Sequence, residues 1–581
     1  MQSQELNQQN TSSKGSGSAD MIHTVWIHSR NEKLFRSYQT ETPAVCLPVP
    51  QHIAMATNDK YDRQLRLWGA SGQRALGETC VVLIRATACG TETCKNLVLP
   101  GIGEILVLDD AESVGTQFSS NFFLTASNEK TRGQIAFENL QELNPDVQGS
   151  WKHVDDLMTY DLQKTFAATK TGPIQKLLVV ASDLEPPLLT KVAKSCDEDH
   201  VPLVVVHGYG LTGVVRLQTP LLPLLNPKPR DVPPDLRLVK PFASLSEMAS
   251  SIQWDKLESH EHGHIPYPLV LLNMKEEWCA QHEGKLPQTF AEKQQFQATI
   301  KAAARNFDQE LNFQEAVQNA YTAYSQRDLD RLHLESIQKD AGTDQNLRAL
   351  LGALQSFLDN HDGQPPLHGS IPDMTASTEL YVKLQDLYQK QAERDFAELK
   401  SYLSHPVADE VVKLFCQNVH TIDMLKTGTV SDEYNNNTPD NELCEELAMA
   451  TMEGAERPDQ LPLLWYLGYR GCQAFHHTHG RYPGTTQDYE SDIAPLQACI
   501  SQVVTLYKLQ DNETIQSTLL KSDDYAAELV RYANAEIHNI ASVLGGVASQ
   551  EAVKIITAQY VPFNNTYVYN GIASTGAVYK F

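Results

Sequence analysis

The stretch Val81–Glu92, "VVLIRATACGTE", limits the possible folds of this chain more than any other segment. Aliphatic residues over Cys80–Ile84 have the composition of a buried strand, and a turn follows. A helix-prone segment then ends in "CKNLVLPG", and a second strand, Glu104–Asp109, closes on Asp109 and Asp110. That order is the first strand–helix–strand unit of a doubly wound α/β domain, in which a carboxylate at the end of the second strand commonly holds a ribose. A working unit of this kind needs G-x-G-x-x-G in its first turn, so that the backbone can approach a phosphate. Here the turn reads "RATACG" and keeps a single glycine, Gly90. The scaffold of a nucleotide fold is expected without its phosphate loop.

The rest of the chain extends this pattern. At 581 residues it exceeds one compact core, and roughly three domains are expected. Residues 1–57 are rich in Gln, Ser, Asn and Thr and are expected to be disordered, while Met55 opens "MATNDKYDRQLRLWG", which has the look of a natural start. From residue 58 the pattern is structured, with two short helices broken at Gly69 and Gly72. Strands are expected at 80–84, 104–109, 177–181 and 203–206, with helices between them. Alternation of this kind argues for a parallel, doubly wound sheet. The proline-dense "TPLLPLLNPKPRDVPPDLRL" marks a boundary, after which apolar residues recur at three-to-four spacing, as in "STELYVKLQDLYQKQAERDFAELKSYL". The fold class is therefore α/β: a degenerate Rossmann-like domain at 58–225 and 515–581, interrupted by a helical insertion at 226–514.

Composition excludes several classes of partner. Forty-seven basic residues against 72 acidic ones give a formal charge of −25, spread along the chain, which opposes nucleic acid and anionic membranes and suits protein partners. No apolar run approaches the ~18 residues of a membrane helix. The ten cysteines include no C-x-x-C pair, which fits reduced thiols and argues against structural zinc.

Other motifs have plainer explanations. A literal G-x-G-x-x-G at Gly208, Gly210 and Gly213 follows a strand, but β-prone Val214–Leu217 comes next and cannot supply a helix N-terminus. A strand–turn–strand link is expected there. The histidines of "HEHGH" and "FHHTHG" lack companion carboxylates or cysteines at a recognised spacing, so packing or surface roles are expected and no metal site. Arg63 and Arg66 lie three apart, on one helix face. Such arginines either meet solvent and acids or are presented to a phosphate in another chain.

The motifs "KYDRQLRLWG", "KNLVLPGIGEILVLDD", "NFFL", "NLQELNPDV", "HGYGLTGVVR", "GSIPDM", "YVKLQDLY", "GRYPG" and "LGGVASQEAVKIIT" with "QYVPFNNTYVYNG" occur in this order. Together they resemble the regulatory, non-catalytic subunits of the heterodimeric enzymes that activate the neddylation modifier, a ubiquitin-like protein. The resemblance covers about Lys60–Phe581. It implies an adenylation fold in which Arg85, Thr87 and Ala88 stand at the first three glycine positions of an ATP-binding turn. Ser119–Leu124 would replace a triphosphate-contacting stretch without its arginine, and Arg132 would replace a lysine. The resemblance further implies that this chain binds no cofactor and has no catalytic residue. ATP and Mg, zinc and the thioester cysteine would belong to the catalytic partner subunit. Further implied partners are the modifier and a conjugating enzyme, and the implied location is cytoplasm and nucleus. Arg63 would contact the partner's nucleotide in trans, while His264, Pro372, Asp373, Met374, Tyr381, Leu384 and Tyr388 would lie at the interface with the catalytic subunit. Two rivals are weighed on the residues alone. A self-sufficient adenylating enzyme lacks the glycines and a nucleophile, and a nicotinamide-dependent oxidoreductase, for which Asp109 would hold ribose, lacks the fingerprint. A free-standing adaptor built on the helical segment is the non-enzymatic alternative.

Overall fold

In the computed structural model the described residues are 59–112, 120–127, 129–169, 173–225, 235–325, 329, 334, 337, 345–435, 439–454 and 456–581. The expected disordered extension and Ser119 lie outside them. The chain enters through α1 (Asp62–Gly77), β1 (Thr79–Ile84), α2 (Ala88–Val98) and β2 (Glu104–Asp109). It continues with α3 (Arg132–Glu142), β3 (Gln148–His153), α4 (Leu162–Thr169), β4 (Lys176–Ser182), α5 (Pro186–Glu198), β5 (Leu203–Tyr209) and β6 (Thr212–Gln218). The four strands expected from composition all form, and β5 runs three residues further, to Tyr209. α1 breaks only at Gly69, whose φ of 70° and ψ of 178° leave the helix. Gly72 stays helical, and a Cβ there would fall 2.8 Å from Trp68.

β1 lies between β2 and β4, and parallel pairing continues outward to β3 and β5. Both faces of this half are covered, so β1 is apolar throughout instead of alternating. Val81 and Leu83 pack with α2 and α3. Cys80, Val82 and Ile84 pack with α4 and α5 on the other side. The sheet then turns antiparallel, through β6 to β9 (Thr566–Asn570) and β10 (Thr575–Tyr579), after the short pair β7 (Leu222–Leu224) and β8 (Asp423–Leu425) has intervened in the chain. The G-x-G-x-x-G segment is the β5–β6 hairpin, as its β-prone sequel requires. Its glycines serve packing: a Cβ on Gly210, whose φ is 59°, would overlap the Tyr532 ring, and one on Gly213 would overlap Leu544.

β7 and β8 pair antiparallel and mark where the helical insertion leaves and rejoins the sheet. Between them lie two apolar cores, one around Leu269, Phe296 and Tyr388, the other around Leu350, Phe357 and Phe415. After β8 the helices Pro462–His479, Ile493–Leu506 and Asp524–Tyr532 bury Leu463, Ile500 and Leu529 in one cluster with Tyr209, Val214, Val568 and Tyr579 of the sheet. The expected boundary at residue 514 therefore falls inside a layer that packs on the antiparallel strands. Helical periodicity reveals an apolar face but not what covers it.

The helix His538–Thr557 packs on α2 with the two backbones close together. A Cβ on Gly545 would lie 2.7 Å from Glu92 Cβ and 2.8 Å from its carbonyl carbon, whereas one on Gly546 would meet nothing within 4 Å. Adjacent substitutions should therefore act in opposite directions. Gly545→Ala is expected to destabilise by about 1–3 kcal/mol through overpacking. Gly546→Ala should stabilise by about 0.5–1 kcal/mol, by removing a helical glycine. Chemical denaturation of the two variants measures the contrast.

Candidate functional site

The site begins at the turn between β1 and α2. Arg85, at the first glycine position, has φ of 64°, a left-handed backbone that normally favours glycine. The turn has thus kept its backbone path and replaced its residue. Its guanidinium turns aside: Nε lies 3.1 Å from both carboxylate oxygens of Asp110, and Nη2 donates to Oδ2 at 2.8 Å. Nη1 donates to the Asp183 carbonyl at 2.8 Å and to Glu185 at 2.9 Å. Gly90, the surviving glycine, serves helix–strand packing, since a Cβ there would sit 2.9 Å from Leu83 and Ser182.

At the start of α2, Thr87, Ala88 and Cys89 are buried, so their polar groups need partners within the protein. Glu536, more than 440 residues downstream, supplies them. Ala88 N–H donates to Oε2 at 2.7 Å, Cys89 N–H to Oε1 at 3.3 Å, and the Thr87 hydroxyl to Oε1 at 2.9 Å. A carboxylate thus occupies the helix end where a phosphate sits in a working fold of this class. Desolvation and the Asp183 carboxylate raise the Glu536 carboxyl above the usual glutamate value, against hydrogen bonds from Cys89 and Thr87 that pull it down. The loop carrying Glu536 is tied in by Asn534, which donates to Asp183 at 3.0 Å and lies 2.8 Å from His207 Nε2.

Asp109, the expected ribose ligand, is engaged elsewhere. It is 1% exposed, accepts from Ala86 N–H at 2.7 Å, and is held by Arg132 Nε at 3.0 Å. No face is left for a ribose, which removes the feature that favoured a nicotinamide enzyme. Asn121 accepts from the Thr91 hydroxyl at 3.0 Å and donates to Ala86 O, bracing the turn. Next to it the Phe122 ring is 72% exposed and stacks on His538. Burial pushes the thiols of Cys416 and Cys472 up to about 12, the opposite of an activated nucleophile.

Arg63 has a different setting. Lys60 is bonded to Asn144 and Asp146, and Asn144 Nδ2 donates to Tyr61 Oη and to the Val98 carbonyl, so the start of α1 is anchored to the sheet domain. Gln559 Nε2 donates to the Trp68 carbonyl near the break at Gly69. On this fixed support Arg66 pairs with Asp62 at 3.0 Å. Arg63 is exposed and has no hydrogen bond or ion pair among the described residues.

The interface residues expected in the insertion separate by burial. Leu384 and Tyr388 are 0% exposed in the insertion's own core, where the Tyr388 hydroxyl donates to the Leu236 carbonyl at 2.6 Å, and Met374 packs in the same cluster. These three are corrected to core residues, because their side chains have almost no surface to offer. Asp373 is exposed, and Pro372 and Tyr381 are half-buried. His264 is half-buried, with Nδ1 2.7 Å from the His260 carbonyl and its ring stacked on His260. The neighbouring His262 binds Glu310 at 2.8 Å and stacks on Phe313, a packing role. Glu536 carries no local sequence signal, because its partners lie more than 440 residues upstream. The available signal was the unmet need of α2: a buried helix start with no side-chain cap of its own.

This arrangement defines a doubly wound α/β fold in which the protein's own side chains meet the start of α2. The chain matches the ThiF family over residues 61–578. It is 34% identical over 546 residues to the NEDD8-activating enzyme E1 regulatory subunit of Danio rerio, covering 90% of this chain and 98% of that protein. It is 32% identical over 539 residues to the regulatory subunit AXR1 of Arabidopsis thaliana, covering 88% and 94%, and 30% identical over 554 residues to the Drosophila melanogaster subunit, covering 92% and 99%. The chain belongs to the ThiF family and, within it, to the NEDD8-activating enzyme E1 regulatory subunits.

Two outcomes follow from the site. The pure chain should give no calorimetric binding isotherm at micromolar ATP. The triple variant Arg85→Gly, Thr87→Gly, Ala88→Gly should remain equally silent, because Glu536 and the engaged Asp109 are untouched; a one-to-one ATP complex of either protein would refute this. Leu384→Asp should unfold the insertion, since an unpaired carboxylate in that core costs on the order of several kcal/mol. Loss of helical circular dichroism signal at a lowered denaturant midpoint, in the chain alone, is the expected result.

Proposed function

We propose that this chain is the nucleotide-free half of a two-subunit activating enzyme, and that it makes a catalytic partner competent to adenylate the C-terminus of a NEDD8-type modifier. The observation that carries this reading is the filled site. A chain related to regulatory subunits over almost their whole length keeps the glycine-type turn geometry at Arg85 while Glu536 holds the helix end. The partner then supplies ATP and Mg, zinc and the cysteine that receives the modifier as a thioester, and a conjugating enzyme takes it onward. The strongly acidic composition suits assembly with proteins and disfavours nucleic acid.

Within this reading Arg63 is the chain's chemical contribution. Its exposure, and the absence of a bonding partner among the described residues, on an anchored helix support a role toward the partner's nucleotide. There the planar guanidinium offsets charge on the triphosphate and helps orient it for attack by the modifier carboxylate. Pro372, Asp373, Tyr381 and His264 retain enough surface to meet the catalytic subunit.

Arg63→Ala should leave folding and heterodimer assembly intact and slow modifier adenylation by about 10²-fold or more, the scale for losing a preorganised charged donor. Arg63→Lys should recover only part of the rate, because an ammonium lacks the planar fork. Arg66, already paired with Asp62, is the control, and Arg66→Ala should change little. Pyrophosphate exchange on the reconstituted heterodimer reads all three variants. Equal, mild losses at both positions would assign Arg63 a structural role.

A further inference from the structure

A degenerate site can lose its ligand in two ways: by losing affinity, or by acquiring a substitute. The contacts of Glu536 point to the second. Its two carboxylate oxygens accept from two consecutive backbone N–H groups and one hydroxyl at the first turn of α2. Those donors are the ones a phosphate oxygen uses at a helix N-terminus. α2 has no side-chain cap of its own, so without Glu536 the buried Ala88 and Cys89 N–H groups have no acceptor among the described residues. The loop that delivers the carboxylate is held in an unusual backbone. Ala533 and Asn534 both have positive φ, 49° and 59°, and Asn534 is bonded on both sides, to Asp183 and His207. Arg85, the cation that the turn itself carries, is directed away to Asp110 and Glu185 and makes no ion pair with Glu536 among the described residues.

We propose that Glu536 is a tethered anion: an internal carboxylate ligand that replaces phosphate at the α2 N-terminus and keeps this site closed to external anions. The native site is therefore complete, and what has been lost is its exchange with solvent. One consequence is that the folded chain carries its own acceptor at this helix end, so its stability is independent of nucleotide and phosphate concentration. Only an assembled enzyme's catalytic half then responds to ATP. This deepens the reading of the chain as the nucleotide-free subunit. Its test needs only the full chain, so it stands or falls separately from any assay of the heterodimer.

Removing the side chain should convert the closed site into an exchangeable one. Glu536→Ala is expected to unfold at lower temperature than the wild type in potassium chloride. Potassium phosphate at matched ionic strength should raise its midpoint progressively, by at least about 2 °C at tens of millimolar, following mass action for a ligand that binds only the folded state. The wild type should show no difference between the two salts. Glu536→Gln keeps the site filled with an acceptor oxygen and should also show no phosphate response. Should Glu536→Ala not fold in chloride, folded yield after refolding in phosphate against chloride gives the same readout. An alanine variant that responds to phosphate no more than the wild type, or that fails to fold in both salts, overturns the proposal.

Discussion

The carboxylate of Glu536 on the first turn of α2 is the contact on which the remainder of the fold turns. A helix that starts inside a protein carries several N–H groups with no intrahelical acceptor, and burial makes each one costly to leave unmet. Nucleotide-binding folds meet that need with phosphate. Here a residue from the far end of the chain meets it, 448 positions from Ala88. The same return brings the helix His538–Thr557 onto α2, with Gly545 against Glu92, and then β9 alongside β6. One polar contact, one close helix pair and one strand pairing thus join the two ends of the sheet domain across the insertion.

The turn shows how a binding fold is retained after binding is lost. A non-glycine residue with positive φ costs on the order of 1–2 kcal/mol. Arg85 accepts that strain and offsets it with charge-assisted bonds to Asp110 and Glu185 that a glycine could not make. Asp109 follows the same logic: the carboxylate at the end of β2 persists, but it now braces Ala86 and Arg132. These charged groups form the polar core of the turn. Restoring glycines alone therefore removes support without creating a cavity.

What the sequence made legible divides along physical lines. The parallel strands were readable because burial on both faces leaves almost uninterrupted aliphatic runs, as at Val81–Ile84. The decoy glycines were readable because Val214–Leu217 is β-prone. Two kinds of information were missing. Periodicity in "YVKLQDLY" shows an apolar stripe but not its cover, and the resemblance that set Leu384 and Tyr388 at an interface did not reveal that they fill the insertion's own core. Long-range polar pairing leaves no local trace either, so Glu536 could be found only by asking what satisfies α2. Arg63 was legible as a position, and its exposure beside a paired Arg66 is a property only the fold supplies.

The narrow β7–β8 ribbon has a consequence for how the protein is made. During synthesis the parallel half, β1 to β5, and then β6 emerge long before β9, which pairs with β6 across a gap of some 350 residues. Until then β6 is an open edge, with unpaired backbone groups and an apolar face, the kind of surface that recruits foreign strands. The ribbon gathers the ends of an insertion that buries its apolar residues in two cores of its own, apart from the unfinished sheet. The nascent chain must nevertheless wait for β9 and β10 to seal that edge. Its vulnerability to aggregation through that edge thus lasts for as long as the insertion takes to be made.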